Sequence, residues 1–131
     1  MSPAPLAPEL PLEPDRLNLI AFDACCAALP HATLVVQWGG SHVWKVGGKM
    51  FAIGQMGGEL GQISFKAAPQ AFAMMLESGD FAPAPYLARA GWVAINPHSS
   101  LPDVDLRAYL QTAHRTVLAK LPRKVRAELA G

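Results

Sequence analysis

Between residues 33 and 66 the chain alternates short runs rich in Val, Ile, Trp and Phe with glycine pairs, and few folds accommodate that rhythm. The runs cover 33 to 38, 42 to 46, 49 to 55 and 61 to 66, separated by Gly39-Gly40, Gly47-Gly48 and the stretch GGELG. Connections this short join neighbouring strands only in antiparallel fashion, because a parallel return needs a crossover of a dozen or more residues. The expectation is an antiparallel meander. If Gly47-Gly48 is a two-residue hairpin turn, Val46 faces Lys49, Lys45 faces Met50, Trp44 faces Phe51 and Val43 faces Ala52. Alternation then puts Val46, Trp44, Phe51 and Ile53 on one face, suited to burial under helices. Val43, Lys45, Met50 and Ala52 fall on the other, beside Gln62, Ser64 and Lys66 of the next strand, giving an uncovered face of mixed polar and cationic character.

Helical periodicity brackets the meander. Leu17, Ile20, Ala21, Ala24, Ala28 and Leu29 recur at three- and four-residue spacing until Pro30, which predicts a helix over 15 to 29. Ala71, Phe72, Met75 and Leu76 share one face of a second helix, opened by Pro69 and ended by Gly79. SGDFAPAPYLARA reads as a loop with at most one helical turn, and GWVAIN as a fifth strand. Ser100 and Asp103 resemble a capping box for a third helix over 102 to 120, striped by Leu106, Tyr109, Leu110, Ala113, Val117 and Leu118. Pro122 ends it, and a short fourth helix carries Arg123 to Leu129. The predicted fold is α+β, a two-layer sandwich with a five-stranded antiparallel sheet and helices on one face, in the order helix, four strands, helix, strand, helix-helix.

A chain of 131 residues supports one core, here assigned to residues 15–131. Hydrophobic residues make up 51% and charged residues 16%, which excludes disorder of the whole chain, and no apolar run approaches the ~20 residues of a membrane span. Residues 1–14, MSPAPLAPELPLEP, hold five prolines and neither Lys nor Arg, so they are expected to form an extended flexible tail rather than a secretory signal. Cys25 and Cys26 are adjacent on a helix and point about 100° apart, which fits buried thiols in a reducing cytoplasm better than a disulfide or metal site.

Several chemistries lack their residues. There is no phosphate-binding loop, dinucleotide fingerprint, zincin helix or nucleophile elbow, and GGKMF lacks the Ser or Thr that a phosphate loop needs. His31, His42, His98 and His114 have no paired metal spacing, and His114 reads as a helix-surface or interface residue rather than a base. Asp103 and Asp105 most simply serve a helix start. Asp15 and Asp23 are too few for an acidic iron-binding ridge. The expectation is a non-catalytic protein without cofactor or metal.

A net charge of +1 does not mark a nucleic-acid binder, but the charge is unevenly placed. From Arg107 onward Arg107, Arg115, Lys120, Arg123, Lys124 and Arg126 face the single acid Glu128. Arg123 and Lys124 begin the fourth helix, where the dipole disfavours cations by about 0.3–1 kcal/mol each. Either a bound anion relieves that conflict, or the two side chains bond the last carbonyls of the third helix.

Four ordered blocks together resemble the MmcQ/YjbR family of small bacterial proteins: QWGGSHVWKVGGKMFAI (37 to 53), ISFK (63 to 66), APYLARAGWV (84 to 93) and VLAKLPRK (117 to 124). The resemblance spans residues 17 to 129 and implies a YjbR-like fold, likened to frataxins and secretion chaperones, with a DNA-binding role through a "double wing". It brings no catalytic residue. Where the family commonly has Ser-Tyr ahead of an Arg or Glu, this chain has Ala113-His114-Arg115.

Two functions follow as expectations. In the first, Lys45, Lys49, Lys66, Arg89, Lys120, Arg123 and Lys124 contact the phosphates of duplex DNA while the Gly-Gly hairpins act as wings. In the second, the uncovered sheet face or the Trp-rich hairpin docks a protein partner or a second copy, provided that Trp38, Trp44 or Trp92 is exposed; Trp44 is expected in the core.

Overall fold

The computed structural model describes residues 19–38, 40–55, 63–84, 87–96 and 102–130. The proline-rich segment 1–14, the GGELG turn, Gln62, His98 and the Ser100 cap lie outside them. The elements are α1 (Leu19–Ala27), β1 (Ala32–Gln37), β2 (Ser41–Val46), β3 (Lys49–Gln55), β4 (Ile63–Lys66), α2 (Phe72–Glu77), β5 (Phe81–Pro83), β6 (Trp92–Ile95), α3 (Asp103–Ala119) and α4 (Arg123–Ala130), with a 3-10 turn at Ala88–Ala90.

The six strands form one sheet of order β1-β2-β3-β4-β6-β5, antiparallel at every pairing. β1 through β4 are the expected meander. The sixth strand corrects the sequence reading, which left Phe81–Pro83 in a loop. Three residues are too few to display an alternation, and the segment pairs because β6 offers it a ladder from Phe81–Ile95 to Pro83–Val93. Pro83 is tolerated since β5 is an edge. Phe81 anchors the strand by meeting Phe65 and Tyr109 edge-on, at ring-centroid distances of 5.8 and 5.2 Å. Aromatic pairs of this kind add about 0.5–1.5 kcal/mol each to their burial.

Helices α1, α2 and α3 cover one face. The main core there joins Phe22 and Cys26 of α1, Met75 of α2 and Leu106, Leu110, Ala113 and Val117 of α3 to Trp44, Val46, Phe51, Phe65, Val93 and Ile95 of the sheet. Full burial of each large apolar side chain contributes about 1.5–3 kcal/mol. Trp44 is buried as expected.

The hairpin register holds only near the turn. Val46 pairs with Lys49 and Lys45 with Met50, but a bulge then shifts Trp44 to Ala52 and Val43 to Ile53. Phe51 is the extra residue. The slip inverts two assignments, so that Ala52 joins the main core and Ile53 moves to the opposite face. That second face is also not bare. Val43, Ile53, Ala84, Trp92 and Ala94 form a small buried cluster, flanked by Met50 and Leu87. Lys45, Ser64 and Lys66 keep partly exposed places beside it.

Candidate nucleic-acid interface

At one end of the sheet the turn between β2 and β3 reaches the corner between α3 and α4. Gly47 and Gly48 take φ of +59° and +81°, in the left-handed region that only glycine enters freely. Packing adds a second demand at Gly47, where a Cβ would lie 2.5 Å from Leu121 Cδ1 and 3.1 Å from Val125 Cγ1. The bare backbone of the turn thus sits directly on the helical corner, and Lys49 is carried there with it.

Beside this contact lies an open cleft of about 310 Å³, lined by Lys49, Met50, Lys66, Leu87, Ala90, Trp92, Val117, Lys120 and Leu121. Three lysines distant in sequence, from the hairpin, β4 and the end of α3, share one concavity. Its floor is apolar. Lys66 donates from Nζ to the Ala90 carbonyl and lies against Gly91, whose missing side chain leaves it room. Burial, and after it the Lys120 ammonium, draws the Lys66 pKa below the ordinary lysine range. Among the described residues none of the three lysines has a carboxylate partner.

The other four predicted cations do not line the cleft. Lys45 pairs across the strands with Met50, one of the lining residues. Arg89 is exposed on the 3-10 turn between the lining residues Leu87 and Ala90. Arg123 and Lys124 are exposed in the first turn of α4, directly after Pro122. Among the described residues neither bonds the final carbonyls of α3, which instead accept from the backbone: Lys120 N–H donates to Val117 O and Leu121 N–H to Leu118 O.

The apolar lining went unseen in the sequence, where this face read as uncovered, with mixed polar and cationic character. The signal available was Leu121 inside KLPRK, an apolar residue amid cations that packs on Gly47. Two other polar residues also take unforeseen places. Asp23 accepts from His42 Nδ1 at 2.6 Å and from Trp44 Nε1 at 2.8 Å, tying α1 to β2. His114, expected at a helix surface or interface, is buried inside the chain: its Nε2–H donates to Pro30 O at 2.7 Å while Phe51 meets its ring edge-on at 5.3 Å. It is a strut between α3 and the entry to β1. Burial raises the pKa of both cysteine thiols, with the neighbouring charges adding to the effect at Cys26 and opposing it at Cys25. Among the described residues no group of His, Cys, Asp and Glu could hold a metal ion, and no helix is long and apolar enough to cross a membrane.

The model of the YjbR family matches residues 27–116. The fold is similar to the crystal structure of the Deinococcus radiodurans protein DR2400, which carries the domain DUF419, with a TM-score of 0.75 at 21% identity over 87% of this chain and 88% of that one. No curated protein matches the chain.

Proposed function

We propose that this chain, which belongs to the YjbR family, binds duplex DNA through its phosphates and acts by binding rather than by catalysis, in the cytoplasm. One observation carries the reading: Lys49, Lys66 and Lys120 gather in a single cleft with no described carboxylate to neutralise them. Ammonium groups drawn together this way repel one another, and the lowered Lys66 pKa registers that repulsion behind the effect of burial. A polyanion relieves it. Arg89, Lys45, Arg123 and Lys124 are the further cations that this reading assigns to phosphates, Arg89 from the 3-10 turn, Lys45 from the strand position facing Met50 and the last two from the start of α4. The near-neutral net charge does not oppose this, because phosphate contacts depend on local potential within about a Debye length. The glycine turn supports the cationic surface from behind, since its close seat on Leu121 holds hairpin and helix end in one rigid unit.

The test is fluorescence anisotropy with a random duplex over a salt series. Three to six phosphate contacts give a slope of log K against log salt of about −3 to −5. Lys120→Glu and the pair Arg123→Glu, Lys124→Glu should weaken binding uniformly across sequences and flatten the slope by about 1 per charge removed. Arg115→Glu, on the exposed face of α3, should not. Absence of binding at low salt, or indifference to the Arg123 and Lys124 reversals, overturns the proposal.

A further inference from the structure

The far edge of the sheet presents the opposite character. β1 is the terminal strand, and Thr33, Leu34, Val35 and Val36 are exposed in succession, so both of its faces meet solvent. Val36 is 57% exposed and Trp38, just beyond the strand, 63%. Soluble proteins guard such edges with charges, proline or brevity, because a row of free N–H and C=O groups templates another strand. ATLVVQ has none of these defences. β5 at the other edge has two of them, being three residues long and ending in proline.

A second, independent feature singles out β1. Among the described residues the non-glycine positions with positive φ are His31 (+62°) and Trp38 (+53°), which bracket this one strand. Left-handed backbone is disfavoured for a non-glycine residue, whose Cβ crowds the following carbonyl. Both residues are exposed, so burial of their side chains does not offset it in the isolated chain.

We propose that β1 pairs antiparallel with β1 of a second copy of this chain, joining two six-stranded sheets edge to edge about a twofold axis. The occupant must be extended, to satisfy the backbone groups, and uncharged and apolar on both faces, to match the side chains; β1 is itself such a segment. In an antiparallel ladder facing residues share the same hydrogen-bonding parity, so a twofold pairing is centred on a residue. Centring on Val35 places it opposite its own copy, Leu34 opposite Val36 and Thr33 opposite Gln37. Every exposed apolar position of the strand then meets an apolar one. Trp38 comes over Ala32 at the start of the partner strand, a large ring over a small residue, which gives the strained backbone at that end a purpose.

The test is the oligomeric state of the full chain by light scattering after gel filtration at about 100 µM, above the micromolar range in which modest interfaces close. A dimer is expected. Val35→Lys sets two like charges face to face and should weaken dimerisation at least about tenfold, whereas Met74→Lys, at an exposed apolar position on α2, should leave it intact. Because a lysine in a strand could also disturb the monomer, Val35→Cys supplies a second readout. Facing Cβ atoms about 4.5–5.5 Å apart can close a disulfide. A mild thiol oxidant should therefore give a covalent dimer of this variant, but not of the parent chain with Cys25 and Cys26 or of Met74→Cys. A monomeric parent chain at that concentration overturns the proposal, as does a dimer indifferent to both Val35 substitutions.

Discussion

The β2–β3 turn and the two ends of β1 all use left-handed backbone, and they use it for opposite ends. At 47 and 48 the residues are glycines with φ of +59° and +81°, and at 47 the space for a side chain is already filled by Leu121 and Val125. At 31 and 38 the residues are histidine and tryptophan, whose side chains point to solvent in conformations that glycine would adopt more easily. The turn gives up side chains so that backbone can pack, which fastens the cationic cleft. The edge keeps side chains despite the backbone and leaves them uncovered. Positive φ alone therefore does not say whether a position serves packing inside the molecule or presentation outside it; the neighbouring atoms decide.

That contrast can be broken most severely at the turn. Gly47→Ala combines left-handed strain with a Cβ 2.5 Å from a buried leucine methyl, and should destabilise by about 2–4 kcal/mol in denaturant melts. Gly48→Ala, with nothing within 4 Å, carries the strain alone and should cost about 1 kcal/mol. Equal costs at the two positions would mean that Leu121 moves aside and that the turn is not seated as described.

Trp38→Gly sharpens the other side. Relief of the strained φ and the greater entropy of an unfolded glycine nearly cancel, so chain stability should stay within about 1 kcal/mol of the parent. A large loss would show that the indole packs on the molecule after all.

The smallest effect concerns protonation in the cleft. With its folded pKa below the unfolded value, Lys66 is harder to charge in the folded state, so its contribution is unfavourable at neutral pH. The penalty is relieved as pH rises from the lowered pKa toward that of a free lysine. Lysine-selective NMR should find Lys66 titrating below the ordinary lysine range. Lys120→Met should move it only part of the way back, because burial is the larger cause.

Much of the fold was legible because its signals are local. Gly47-Gly48 marks a hairpin from two residues, the α3 stripe repeats through Leu106, Leu110, Ala113 and Val117, and Trp44 alternates with Val46 toward the helices. The seven candidate cations could be named but not arranged. Lys49, Lys66 and Lys120 share one cleft only because separate elements bring them close, and no periodicity encodes that.

By itself the sequence determined the antiparallel meander, the apolar faces of α2 and α3 and the burial of Trp44, since each follows from spacing over a few residues; on α1 the expected stripe is overturned, with Ile20, Ala24 and Ala28 exposed and Phe22 and Cys26 buried instead. Tertiary structure decided the bulge at Phe51 that exchanges Ala52 and Ile53, the pairing of Phe81–Pro83, the burial of His114 and the opposed characters of the cleft and the β1 edge. The physical reason is that these depend on a partner far along the chain. A ladder supplies the hydrogen bonds of a three-residue strand, Pro30 accepts the histidine proton, and Leu121 fills the space that a side chain at Gly47 would take.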